Sequence, residues 1–135
     1  MGMYTEVLVK AEVNLQDTAK VNIDALQYLF GESSKPEVLP RHKFFTLPRW
    51  GAIGHGCSFY HVPFPTSRAD IKYGTLHIFS RSDFKSYDGE AEAFFDWLLT
   101  FAKSSTGKCI GWIWYEEWDT PKLVLELETN INTLG

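Results

Sequence analysis

From Tyr4 to Val13 the chain alternates, with Thr5, Val7, Val9, Ala11 and Val13 on one face and Tyr4, Glu6, Leu8, Lys10 and Glu12 on the other. A period of two predicts a half-buried strand. The period then changes. Ala19, Ile23, Leu26 and Phe30 recur at helical spacing and predict a helix over about residues 16–30, with Asn14 or Asp17 as its cap and Gly31 as a left-handed stop. Residues 32–50 break the pattern, because Pro36, Pro40 and Pro48 deny the backbone both helix and central strand. Phe44, Phe45, Leu47 and Trp50 within that stretch need burial, so it is expected to pack over an end or edge of the sheet.

Strands are expected at about 51–62 and 72–80, joined through Pro63-Phe64-Pro65, and in the second Leu76 and Ile78 oppose Tyr73, Thr75, His77 and Phe79. Asp88 to Lys103 reads as a second helix. Asp88 would be its cap, Glu90 and Glu92 lie near the positive end of its dipole, and Ala91, Phe94, Phe95, Leu98, Phe101 and Ala102 form its buried stripe. Residues 108–118 then hold three of the five tryptophans. On a strand, Ile110, Trp112, Trp114, Glu116 and Trp118 would share one face, and Cys109, Gly111, Ile113, Tyr115 and Glu117 the other. Both faces are apolar for most of their length, whereas a strand in a small sheet needs only one. Asp119-Thr120-Pro121 turns the chain into a last strand, Lys122 to Leu127, and residues 128–135 form a polar tail expected to fray.

The order β-α-β-β-α-β-β predicts an α+β, ferredoxin-like two-layer sandwich, a mainly antiparallel sheet with both helices on one face. The other face would be open, and the aromatic strand would contribute to it. Which of its two sides turns outward is a matter of parity, and we expect the tryptophans there. At 135 residues the chain fits one domain.

Charge adds a second asymmetry. Residues 35–85 carry eight basic side chains against three acidic ones, and residues 86–135 carry nine acidic against three basic, within a net charge of −4. The overall sign opposes general nucleic-acid affinity, which comes from Lys and Arg replacing counterions on phosphates. The opposed halves would suit self-association. No apolar run approaches a membrane span, and Cys57 and Cys109 do not make a disulfide framework, so a cytoplasmic protein with reduced thiols is expected.

Candidate chemistry is sparse. In an extended segment His55, Cys57 and His61 would share one face and His77 could join them, a ligand set of the zinc type. Yet His55 and His61 would stand about 20 Å apart at roughly 3.3 Å per residue. Cys57 as a nucleophile with His61 or His77 as base is the other catalytic reading, although nothing places Cys57 at a helix N-terminus. Adjacent Glu116 and Glu117 face opposite sides of a strand and form no acid–base pair by themselves. Phosphate-binding, nucleophile-elbow and zinc-helix signatures are missing, and no cofactor or metal is expected. An RNA-recognition domain would share the element order, but Tyr73-Gly74-Thr75-Leu76-His77-Ile78-Phe79 places no basic residue between its aromatics.

Three stretches, the opening Tyr4-Thr5-Glu6, the turn Phe79-Ser80-Arg81-Ser82-Asp83 with Asp88-Gly89 beyond it, and Tyr115-Glu116-Glu117, resemble a family of small uncharacterised proteins encoded by phages and bacterial genomes. The resemblance implies a phage or prophage accessory role and transfers no activity. The expected function is therefore a non-enzymatic protein-binding module, a homodimer or a binder of another protein. Its surface would use Tyr73, His77, Phe79, Trp112 and Trp114, with Arg49, Arg81, Glu116 and Glu117 on the rim. A small enzyme or metal-binding protein built on Cys57, His61 and His77 is the alternative, and an RNA-binding module the third.

Overall fold

A computed structural model of the chain describes residues 3–56, 66–104 and 107–126. Strand β1 (Thr5–Asn14) has the alternating burial its sequence predicts. Helix α1 (Lys20–Phe30) follows, then a segment with short 3-10 turns at Lys43–Thr46 and Trp50–Ala52. Strands β2 (Thr66–Lys72) and β3 (Thr75–Phe84) form a hairpin, helix α2 spans Glu90–Leu98, and β4 (Lys103–Ser104), β5 (Cys109–Tyr115) and β6 (Lys122–Leu125) complete the chain. The protein is α+β: the described residues form two helices and a six-stranded, antiparallel open sheet in the order β2-β3-β1-β5-β6, with β4 also paired to β1.

The sheet's inner face is written by β1. Val7, Val9, Ala11 and Val13 are buried with Leu76 and Ile78 of β3 and Ile113 of β5, and the stripes of both helices join the same cluster. The helices meet through Phe30 and Phe94, whose rings lie edge to face at 5.7 Å, and through the Trp97 Nε1–H bond to Asn22 Oδ1 at 3.2 Å. Each large side chain removed from water in this way contributes about 1.5–3 kcal/mol.

Several local expectations give way to stronger local bonds. Asn14 caps a turn rather than a helix: its Oδ1 accepts the N–H groups of Gln16 and Asp17, and α1 begins at Lys20 without a side-chain cap. Gly31 is extended, at φ −107°, and not left-handed. Asp88 does not cap α2. The cap is Gly89, left-handed at φ 81°, and Asp88 instead pairs with Arg49. The helix also ends at Leu98, so Lys103 belongs to β4.

Residues 51–56, expected to open a strand, form 3-10 and turn structure; Pro63-Phe64-Pro65 lies outside the described residues, and the hairpin's first strand starts at Thr66. Tyr73 is not in a strand. It sits with Gly74 in the two-residue β2–β3 turn, at φ 53° and 77°, the pair of positive values a tight hairpin favours. The proline-bearing segment packs against α2 rather than over a sheet end: Phe45 meets Trp97 edge to face at 4.8 Å and Phe44 lies 5.4 Å from Phe94. His42 fixes it there, with Nδ1 accepting the Phe44 N–H and Nε2 3.0 Å from Asp96. The last strand ends at Leu125, and Leu127 and the tail fall outside the described residues.

Candidate functional site

Register decides which side chains share the outer face. Across β3, β1 and β5, Arg81 stands beside Leu8 and Leu8 beside Trp112, which in turn pairs with Leu123 of β6. The next row toward the end of β5 joins Asp83, Glu6 and Trp114. In the opposite direction come Phe79 with Lys10, then His77 with Glu12. All these residues alternate with the buried inner positions, so the tryptophans do face away from the helices, as parity allowed. Ile110 does not follow them. A register shift between Cys109 and Gly111 breaks the alternation, and both Ile110 and Gly111 are buried.

Gly111 is what lets β5 approach β1 so closely. A Cβ there would collide with the Leu8 carbonyl oxygen and reach to 3.2 Å from Phe95 Cζ, so the strand admits no side chain at this point. Trp112 and Trp114 meet edge to face at 6.2 Å, and the Trp112 indole N–H is buried without an acceptor among the described residues. Phe79 remains 42% exposed and Leu123 57% exposed on the same face.

At one end of this face a cleft of about 270 Å³ is lined by Tyr4, Glu6, Arg81, Asp83, Trp114, Glu116 and Trp118. Arg81 lies between two carboxylates, with Nε 3.4 Å from Glu6 Oε2 and Nη1 3.2 Å from Asp83 Oδ1. Glu116 is anchored by the chain itself: its Oε1 accepts the Tyr4 N–H, and its own N–H donates to the Tyr4 carbonyl at 3.1 Å. Trp114 Nε1–H donates to the Trp118 carbonyl at 2.9 Å, which folds the residues after β5 back over the end of the sheet. Tyr115, on the inner side of β5, lines a smaller neighbouring cleft with Tyr87 and Trp118. Desolvation, then the nearby Glu117 and Glu116 carboxylates and Tyr87, raise its hydroxyl above the usual 10.0.

The structure gathers Phe79, Arg81, Trp112, Trp114 and Glu116 on one surface. His77 shares that face but stands toward its other end, with Nδ1 3.8 Å from Glu12. Tyr73 is at the hairpin tip and Glu117 in the turn after β5, both exposed. Arg49 lies elsewhere, in the helix layer, paired with Asp88 at 3.3 Å and stacked over Tyr87. Cys57 and His61 lie outside the described residues; His55 is in a turn, its Nε2 3.2 Å from the Tyr28 carbonyl oxygen. Cys109 is half-buried, its Sγ–H donating to the Gly111 carbonyl at 3.3 Å.

Sequence reading missed Tyr4, Glu6, Asp83 and Trp118 as partners in one cleft. The available signal was the outer parity of β1, where Leu8 interrupts a polar face and Glu6 sits beside it. Among the described residues, no three His, Cys, Asp or Glu side chains are grouped to hold a metal ion, and no helix is long and apolar enough to cross a membrane. The chain matches no protein-family model, no curated protein and no solved structure.

Proposed function

We propose that the protein is a non-enzymatic binding module that engages a protein partner through the outer face of its sheet. The observation that carries this reading is the apolar strip Phe79, Leu8, Trp112, Trp114 and Leu123, running into a cleft walled by aromatic and charged side chains. Contiguous exposed apolar surface rimmed by charge is the usual mark of an interaction site, and Trp, Tyr and Arg are its usual anchors. A second copy of the chain is one partner this surface would suit, and a protein of the host cell is the other, as the resemblance to phage and bacterial proteins implies. The setting that goes with either is the cytoplasm. The β5-β1-β3-β2 run supports reading the sheet as a ferredoxin-like kernel with β4 and β6 added.

An enzyme built on Cys57, His61 and His77 has less behind it, because His77 stands toward the far end of the outer face from the cleft, 3.8 Å from Glu12, and Cys57 and His61 lie outside the described residues. An RNA-binding surface is disfavoured by charge, since Arg81 is already flanked by Glu6 and Asp83.

A peptide display selection against the purified chain tests the binding reading and requires no identified partner. Selected peptides are expected to compete with one another and to lose binding to a folded Phe79→Ser, Trp114→Ser variant. Peptides that bind this variant as well as the parent chain would remove the outer face as the site.

A further inference from the structure

We propose that the cleft at the end of the outer face receives the cationic side chain of a lysine or arginine presented by a partner protein. This rests on the binding reading above and names what the surface recognises. Glu6, Asp83 and Glu116 bring three carboxylates to the lining and Arg81 brings one guanidinium. That guanidinium pairs with Glu6 and Asp83, and among the described lining side chains the carboxylates outnumber it three to one. An entering anion would meet carboxylates on both sides of Arg81. An entering cation meets the excess negative charge and the rings of Trp114 and Trp118, whose π-faces attract ammonium and guanidinium groups, while the Tyr4 ring already carries the Lys85 ammonium 5.8 Å from its centre.

Size and spacing select among cations. The three carboxylates are not grouped as metal ligands would be among the described residues, so they suit a larger organic group better than an ion. The volume of about 270 Å³ falls just below the roughly 300–1,000 Å³ of sites for whole small molecules, which suits one side chain. A partner protein is favoured over a free amine as the source. The same face continues from Trp114 to Trp112, Leu8 and Phe79, an apolar strip that only a longer chain could use together with the cleft.

The test uses two uncharged-ended probes, acetyl-Gly-Arg-Gly-amide and the same peptide with citrulline, which keeps the shape of arginine and removes its charge. Each is titrated into the full chain at low salt while the tryptophan indole N–H signals are followed by NMR. The arginine probe is expected to shift Trp114 and Trp118 saturably and to bind about fivefold or more tighter than the citrulline probe. Glu116→Gln, which keeps an oxygen for the Tyr4 N–H, is expected to narrow that preference. Equal binding of both probes at Trp114 and Trp118 would overturn the cation assignment while leaving the outer face as a binding surface. No shift with either probe would overturn it too, and the display selection then judges the broader reading on its own.

Discussion

The buried carboxylate of Glu90 accepts the backbone N–H of Arg49 at 3.0 Å, across 41 residues of sequence. Its other oxygen accepts the Asp88 N–H at 3.0 Å. One side chain thereby ties the proline-bearing segment to the first turn of α2, where the helix dipole also favours negative charge. Glu90→Ala leaves both N–H groups without this acceptor and is expected to cost about 3 kcal/mol, with Glu90→Gln costing roughly half as much. Chemical denaturation reads the difference, and an alanine variant as stable as the parent contradicts the role.

Gly111 and Gly51 form a matched contrast. Alanine at 111 must displace the Leu8 carbonyl from the β1–β5 ladder, whereas a Cβ at 51 meets nothing within 4 Å. Gly111→Ala is expected to lose more than about 3 kcal/mol or fail to fold, and Gly51→Ala to stay within about 0.5 kcal/mol of the parent. Similar melting temperatures for the two variants would refute the close approach of the strands.

Tyr73 holds φ 53° while 94% exposed, with the Lys72 ammonium 5.6 Å from its ring centre. Left-handed backbone costs an ordinary residue about 1–2 kcal/mol, and asparagine bears it best in this kind of turn. Tyr73→Asn is therefore expected to stabilise the chain by up to about 1 kcal/mol, part of the gain being offset by the lost ring contact with Lys72. The urea midpoint should rise with an unchanged slope. A fall in the midpoint would mean that the ring packs more than its exposure indicates.

Tyr115 gives the fold a pH dependence on the alkaline side. Its hydroxyl holds the proton more tightly in the folded chain than at the ordinary 10.0, so the folded state binds more protons than the unfolded one in that range. The associated stability is fully present below pH 10.0 and is lost as pH rises through the raised value. Tyr115→Phe should remove a late-titrating phenol from the ultraviolet titration and flatten the decline above pH 10.0. An unchanged titration curve would place the perturbed group elsewhere.

The elements with a clean period were legible from sequence. Alternation in β1 and the Phe94, Phe95, Leu98 stripe of α2 each report which side meets the core, and burial agrees with both. Boundaries were less legible, because they were settled by bonds the local pattern does not show: Asp88 was drawn to Arg49, Gly89 took the cap position, and Ser86 Oγ accepted the Ala91 N–H of the first turn. The segment before β2 misled for a related reason. Its aromatic residues found α2 rather than the sheet, through contacts that no local period encodes. On the outer face, Trp112 and Trp114 announced themselves, but the cleft depends on Glu6 and Asp83 meeting Trp114 across three strands. Trp118 joined them only through a turn.

The five tryptophans offer the most direct test of the outer face as the binding surface. Trp50 and Trp97 pack among Phe44 and Phe45 in the helix layer, while Trp112, Trp114 and Trp118 lie on or at the end of the outer face. The measurement is the indole N–H spectrum of the full chain during titration with a display-selected peptide. Saturable shifts of Trp112, Trp114 and Trp118, with Trp50 and Trp97 unmoved, are the predicted result. Shifts centred on Trp50 and Trp97 would contradict it and move the binding surface to the helix layer.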